Sequence, residues 1–327
     1  MSHDLQDAVV VITGASSGIG RATAHEFARQ GAALFLASRD KQALHDVAEE
    51  CHRQGGQARI VVADVTRSED VERLARTAFD TAGRIDVWVN NAGIGALGAF
   101  DEIPLESHEQ VIQTDLLGYV RGAHAVLPYF KRQQSGVLIN NISLGGFAPQ
   151  PYAASYSAAK FGLRGFAESL RGELHAWPHI HVCNLYPPVM DTPGFRDGGN
   201  YTGRATKPVP PVYDPRRTAR AIVNAARRPR HSVYVGSVSL LAKFAYALVP
   251  GFNLANARMV ETALGRADPD ATSSGNLFAP PSGERRIDGG FRDPAAQRTT
   301  ALATTAVAAA VLGGFCLYQW RRRHQDR

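Results

Sequence analysis

Up to about residue 236 the chain is punctuated by seven short β-branched runs, and nearly all of them are apolar without interruption. They cover Val9–Thr13, 34–38, 59–63, Val87–Asn90, 136–142, 181–185 and 232–235. A strand that is apolar at every position cannot leave one face in water, so it belongs in a sheet covered on both sides. Between the runs lie amphipathic stretches of helical period over 21–30, Lys41–Arg53, 69–81, 110–130 and 157–176. Asp214 ahead of Pro215 reads as the cap and first turn of a further helix through 217–226. This alternation predicts an α/β fold, a doubly wound parallel sheet of about seven strands with helices on both faces. Its ligand should lie at the carboxyl ends of the strands.

Directly after the first run stands Thr13-Gly14-Ala15-Ser16-Ser17-Gly18-Ile19-Gly20, and a helical pattern begins at Arg21. A pyrophosphate needs free backbone N–H groups at a helix N-terminus and no Cβ where the backbone closes on it. Glycines at 14, 18 and 20 meet that demand. Glycine spacing alone also serves ordinary turns. Placed between a buried strand and a helix, it becomes a dinucleotide loop in a Rossmann-type sheet, with Gly14, Ser16, Ser17, Gly18 and Ile19 as its binding positions. The end of the second run selects the cofactor. A carboxylate there would take the ribose hydroxyls and repel a 2′-phosphate, yet the sequence reads Ala37-Ser38-Arg39 before Asp40. Arg39 can stack on the adenine and pair with the 2′-phosphate through its planar fork, which favours NADP(H). Asp64 and Val65, after the third run, are placed to meet the adenine edge.

Tyr156 and Lys160 stand four apart at the start of a helical pattern and so share one face. A phenol with a pKa of about 10 is a poor base at neutral pH, and a neighbouring ammonium favours the phenolate. Ser143, thirteen residues upstream, follows a buried run and is placed to hydrogen-bond a substrate oxygen. Alone, Tyr-x-x-x-Lys is common by chance.

The pieces occur in a telling order: TGASSGIG at 13–20, Asp64-Val65, Asn90-Asn91-Ala92-Gly93, Ser143, YSAAK at 156–160 and PPVMDT at 187–192. Over residues 8 to about 236 the chain resembles the short-chain dehydrogenase/reductase family in its compact, non-extended branch. The resemblance implies that Tyr156 exchanges a proton with the substrate oxygen while hydride passes to or from the nicotinamide. Lys160 would lower the tyrosine pKa and bind the nicotinamide ribose, and Ser143 would orient the carbonyl oxygen. Asn91 would contact the cofactor, and the Val189 backbone with the Thr192 hydroxyl would hold the carboxamide. A homodimer or homotetramer through the helices at 110–130 and 157–176 is also implied.

Two residues depart from the family's pattern. Asp115, within QTDLLG at 113–118, stands where the family commonly has an Asn that bends the helix and anchors a relay water. A carboxylate accepts hydrogen bonds there but cannot donate like an amide, so Asp115 joins the catalytic set with an altered proton relay. Pro188 replaces a usual Gly and stiffens its turn. The function expected is hydride transfer between NADP(H) and a small apolar alcohol or carbonyl substrate. The alternative, supported by Asp115 alone, is a catalytically silent, membrane-tethered NADP(H) sensor or scaffold. Epimerisation or dehydration is disfavoured by the NNAG segment and the short length after Tyr156.

After Gly236 the character of the chain changes. Residues 1–237 read as the catalytic domain and 238–265 as an apolar helical flap covering the active-site edge or dipping into a membrane interface. Residues 266–298, rich in Pro, Gly, Ser, Asp and Arg, read as a flexible linker. Residues 299–320 carry no formal charge and end in Tyr318, Trp320 and three arginines, as a transmembrane helix would, followed by a basic tail at 321–327. Those arginines favour a cytoplasmic C-terminus, while an NADP(H)-using domain also belongs in the cytoplasm. The cofactor decides for a membrane-associated protein with its catalytic domain cytoplasmic. The net charge of +6 owes half its excess to this tail, so no nucleic-acid partner is expected. The three cysteines, Cys51, Cys183 and Cys316, form no CxxC pair, and the N-terminus carries no signal-peptide pattern. His175, His179 and His181 flank the helix-breaking Pro178 and read as a solvated loop, not a metal site. Phe147, Pro149, Pro151 and Tyr152, with Phe195 and Tyr201, are candidates to line the substrate pocket.

Overall fold

A computed structural model describes residues 4–283 and 285–292. Its strands are β1 (Val9–Thr13), β2 (Ala33–Ser38), β3 (Gln57–Val62), β4 (Val87–Asn90), β5 (Ala96–Leu97), β6 (Gly136–Asn141), β7 (Ile180–Tyr186), β8 (Gly199–Asn200) and β9 (Ser232–Tyr234). Seven of them form one sheet in the order β3-β2-β1-β4-β6-β7-β9, while β5 and β8 pair as a separate two-residue ladder. Every pairing within the large sheet is parallel, as the unbroken apolar runs require.

The helices are α1 (Gly18–Ala28), α2 (Lys41–Arg53), α3 (Ser68–Ala82), α4 (Leu105–Ile112), α5 (Gly118–Gln133), α6 (Ala154–Glu173), α7 (Gly194–Asp197), α8 (Pro215–Arg227), α9 (Ser237–Leu248) and α10 (Phe252–Gly265). Alternate residues of β1 show why both faces are apolar. Val10 and Ile12 join a core with Phe27 of α1, Leu44 of α2 and Ile222 of α8. Val9 and Val11 join a second core with Leu74 of α3, Val126 of α5 and Ala167 of α6. Asp214 caps α8 as expected, its side chain accepting from Arg216 N.

The sheet order reverses between β1 and β4, so their outgoing connections diverge and leave a crevice at the carboxyl ends. Three buried asparagines in register brace this edge. Asn90 donates to Asn140 (3.0 Å), Asn140 donates to Asn184 (3.2 Å), and Trp88 Nε1 closes on Asn90 Oδ1 (2.8 Å). Each satisfies polar atoms that burial would otherwise leave without partners.

Two parts of the chain depart from expectation. The continuous helix anticipated over 110–130 is broken by a π-helical segment, Gln113–Leu117, between α4 and α5. Such a segment accommodates an extra residue within a helix, and here it carries the buried Asp115. Residues 266–292 do not hang free as a linker. They run back over the domain, bridging Pro269 to Arg204 and Ser273 to Asn200. Ion pairs then join Arg285 to Asp40, Arg216 to Asp288, and Arg292 to Asp191. The charges that argued for solvation instead find partners on the domain. The flap consists of α9 and α10, with no helix among the described residues long and apolar enough to cross a membrane. The span expected at 299–320 lies outside the described residues.

Candidate active site

The loop between β1 and α1 is shaped by contacts that leave no room for side chains. Gly14 and Gly18 have positive φ (65° and 54°). A Cβ on Gly20 would lie 2.0 Å from Gly14 O, a clash with backbone that cannot move aside. The loop is braced from below by Asn91, whose amide donates to Thr13 O (3.1 Å) and Gly14 O (3.2 Å) and accepts from Asn141. Asn91 therefore shapes the glycine loop through its amide. Thr13 Oγ1 takes the N–H groups of Asn91 and Ala92, tying β1 to β4.

Thr192 comes from the loop after β7 and reaches the same place. Its methyl lies 3.3 Å from where a Gly18 Cβ would stand. Val189, by contrast, spends its carbonyl on Tyr213 N (2.9 Å). Ser16 and Ser17 lie in the loop, and Ile19 packs against the core beneath it. Asp64 holds its own turn, accepting from Thr66 N and Oγ1, and Val65 packs against Gly118. Arg39 leaves the end of β2 and donates to the carbonyls of Leu277 (3.1 Å) and Asn276 (2.6 Å). Burial pulls its guanidinium pKa down, and Asp64 pulls it back up.

Ser143, Tyr156, Lys160 and Asp115 meet at the carboxyl end of β6. Ser143 opens a single 3₁₀ turn, and its Oγ accepts from Gly145 N at 3.0 Å. Its φ of 134° lies in a region that costs a non-glycine residue about 1–3 kcal/mol and is held only where surrounding structure insists. Gly145 separates Ser143 from Tyr156. A Cβ there would meet the Tyr156 ring at 3.1 Å and Ser143 Oγ at 3.5 Å, so the missing side chain lets the two hydroxyl-bearing residues approach. Tyr156 is half-buried near the start of α6.

One turn on, Lys160 is 3% exposed, with its Nζ 5.3 Å from the Tyr156 ring centre and 5.0 Å from that of Tyr119. Its counter-ion is Asp115, 2.8 Å away and wholly buried. The other Asp115 oxygen accepts from Ile94 N at 2.8 Å. Burial pushes the Asp115 carboxyl up, while Lys160 and the Ile94 N–H draw it back. Burial works against the Lys160 ammonium too, but Asp115, Tyr119 and Tyr156 outweigh it and hold the lysine protonated. The Tyr119 phenol is pushed up by burial and donates to Asn141 O.

The pocket candidates divide. Phe147 is buried with Tyr186 and Tyr234, its ring tilted against both, so it belongs to the core. Pro151 and Tyr152 do line a cavity, with Phe100 and with Ala257 of α10. Tyr201 hydrogen-bonds Ser107 (2.8 Å) and packs toward Leu277, and Phe195 meets Phe291 edge to face. No cluster of metal-ligating side chains is found among the described residues. The sequence reading missed the asparagine ladder and Thr13. Their signal was present as polar residues inside otherwise apolar runs.

A glycine loop at a helix N-terminus, with a Ser, a Tyr and a buried Lys at the neighbouring strand ends, defines a dinucleotide-dependent oxidoreductase site. The short chain dehydrogenase family model matches residues 8–199, and the chain belongs to that family, whose members act on alcohol and carbonyl groups. It is 36% identical over 249 residues to the uncharacterized oxidoreductase YxnA of Bacillus subtilis, covering 75% of this chain and 70% of that one. A 3-ketodihydrosphingosine reductase of Bacteroides thetaiotaomicron is 36% identical over 196 residues, covering 60% and 68%. An alcohol dehydrogenase from Thermococcus sibiricus, solved with 5-hydroxy-NADP, superposes with a TM-score of 0.61 at 30% identity, covering 71% and 97%.

Proposed function

We propose that the chain is an NADP(H)-dependent oxidoreductase that interconverts an apolar alcohol and its carbonyl, with Tyr156 as general acid/base. The carrying observation is the buried Lys160 ammonium within 5.3 Å of the Tyr156 ring, with Ser143 just across Gly145. The glycine loop fits a dinucleotide, since Gly14 and Gly18 take left-handed φ and a Cβ on Gly20 would strike Gly14 O, so the tight turn at the α1 N-terminus forms only without side chains. Gly14, Ser16, Ser17, Gly18 and Ile19 would hold the pyrophosphate, Arg39 the 2′-phosphate, Asp64 and Val65 the adenine, and Lys160 and Thr192 the nicotinamide half. When bound, the nicotinamide supplies the hydride donor or acceptor.

The chain's own residues supply position and protons. Ser143 donates a hydrogen bond to the substrate oxygen and fixes its direction. In reduction the Tyr156 hydroxyl gives its proton to that oxygen; in oxidation its phenolate accepts one. Lys160, kept charged by Asp115, stabilises the phenolate stage. Support for the 2′-phosphate comes from Arg39 at the end of β2 and from the 5-hydroxy-NADP in the Thermococcus structure.

An apolar substrate is supported by the cavity of Phe100, Pro151, Tyr152 and Ala257, and by the 3-keto substrate in the name of the Bacteroides relative. Leu240, Phe244, Leu248, Leu254 and Met259 are exposed on α9 and α10, which supports membrane association of this edge, the catalytic domain remaining cytoplasmic. Assembly as a homodimer or homotetramer through α5 and α6 completes the proposal.

A silent NADP(H)-binding protein is the second reading, favoured by the Lys160–Asp115 pair, which engages the lysine. NADPH oxidation on a panel of ketones and aldehydes separates the two. Turnover of any of them supports the enzyme, and tight NADPH binding without turnover supports the sensor. Cofactor choice has its own test. Arg39→Asp is expected to weaken NADPH relative to NADH by roughly 10–100-fold, since a hydrogen bond to a charged group contributes about 1.5–3 kcal/mol. An unchanged ratio of the two dissociation constants would show that Arg39 does not read the 2′-phosphate.

A further inference from the structure

The described residues between Asn276 and Arg292 lie along the dinucleotide crevice from one end to the other. At the β2 end, Arg39 donates both its terminal nitrogens to strap carbonyls, Leu277 O and Asn276 O, and Gln110 Nε2 also donates to Leu277 O at 3.0 Å. The Leu277 side chain is fully buried in a cluster with Ala96, Ile103 and Val111, against which Tyr156 and Tyr201 pack. In the middle, Gly18 N donates to Arg286 O at 2.9 Å, and the Arg21 guanidinium donates to Arg285 O. Arg285 itself is 9% exposed and bonds Asp40 at 3.0 Å. At the far end, Gly289 and Phe291 donate their N–H groups to Asp191, beside Thr192. Gly289 runs so close to Thr192 O that a Cβ on it would lie 2.5 Å away.

These are the groups assigned above to a dinucleotide. Gly18 N–H sits at the positive end of α1, and Arg39 is the 2′-phosphate ligand. Each donates here to a peptide carbonyl, the neutral counterpart of a phosphate oxygen. A guanidinium nitrogen committed to a strap carbonyl is not available to a phosphate, and the space filled by Leu277 is not available to a ring.

Resting on the assignment of this crevice to NADP(H), we infer that the C-terminal strap is a built-in competitor of the cofactor, and that binding requires it to lift. The strap's anchors suit such a device. They are mainly polar, the ion pairs of Arg285 with Asp40, Arg216 with Asp288 and Arg292 with Asp191, beside one apolar plug, Leu277. A ligand bringing several negative charges gains more from Arg39 and the α1 N-terminus than a carbonyl does. The closed strap lowers apparent affinity by the fraction of molecules in which the crevice is open.

Hydrogen exchange on the full-length protein, with and without saturating NADPH, reads this directly. The amides of residues 276–292, Gly289 and Phe291 above all, are expected to exchange about ten-fold faster when NADPH is bound. Slower or unchanged exchange overturns the inference and makes the strap a clamp over the cofactor or a bystander. Leu277→Ser, in the full chain, is expected to lower the NADPH dissociation constant roughly ten-fold by loosening the plug. A raised or unchanged constant counts against competition. If that variant fails to fold, the exchange experiment on the unaltered chain still decides. A titration showing no NADPH binding at all would instead remove the assignment of the crevice, a different failure from NADPH that binds while the strap stays down.

Discussion

Tyr156→Phe is expected to reduce kcat for carbonyl reduction about 1,000-fold while leaving the NADPH dissociation constant within a factor of about two. The substitution removes one oxygen and keeps the ring that packs beside Gly145 and below the Leu277 cluster, so its effect is confined to the proton. General acid catalysis by a positioned group contributes about 10²–10⁴-fold, and the middle of that range applies here because the Lys160 ammonium is committed to Asp115. Ser143 is the nearest alternative, but its Oγ already accepts from Gly145 N and an aliphatic hydroxyl is a far weaker acid. Stopped-flow measurement of a single turnover separates the chemical step from product release. Comparable single-turnover rates in Tyr156→Phe and the unaltered chain would refute the mechanism, and a matching loss of NADPH affinity would recast Tyr156 as a cofactor-binding residue.

Much of this fold is legible in the sequence because a parallel sheet covered on both faces imposes a pattern that little else produces. Val9 to Ile12 of β1 feed two different cores in alternation, so no polar position falls in the run before Thr13 at its end. α2 begins and ends where its periodicity places it, and Asp214 caps α8 by the chemistry its spacing implies. The site was legible where backbone demands select a residue type, as at Gly14, Gly18 and Gly20. It was also legible where two side chains a helical turn apart share a face, as Tyr156 and Lys160 do.

What stayed hidden depends on tertiary partners. Nothing local shows that Phe147, between two site residues, turns into a cluster with Tyr186 and Tyr234. Asn91 carries an amide that suits a cofactor, but its partners are Thr13 O and Gly14 O, seen only once β1 and β4 are adjacent. Residues 266–292 have the composition of a solvated linker. Their arginines and aspartates meet Asp40, Asp191 and Arg216 only after the domain has formed, and a periodicity scan is blind to a segment without regular structure.

The second large effect falls on Asp115. Asp115→Leu leaves the Lys160 ammonium buried with no counter-charge, a change that costs about 3–5 kcal/mol when one partner of a buried pair is removed. A domain of this size is expected to lose roughly 10 °C in Tm, read by calorimetry. Asp115→Asn keeps the shape and the hydrogen bond from Ile94 N but removes the charge, and its signature is a pH profile. Facing the ammonium are Asp115 from the π-helical segment, Tyr119 from α5 and Tyr156 from its own helix. Tyr119 stays neutral because burial raises its pKa, which leaves Asp115 as the carboxylate that offsets Lys160. With the offset gone, burial works on the ammonium opposed only by the two phenols, so Lys160 sheds its proton at lower pH than in the unaltered chain. Turnover that needs the charged lysine should therefore fail at lower alkaline pH in Asp115→Asn, read as a pH profile of kcat for alcohol oxidation. An unmoved profile would reduce Asp115 to a structural partner of Lys160.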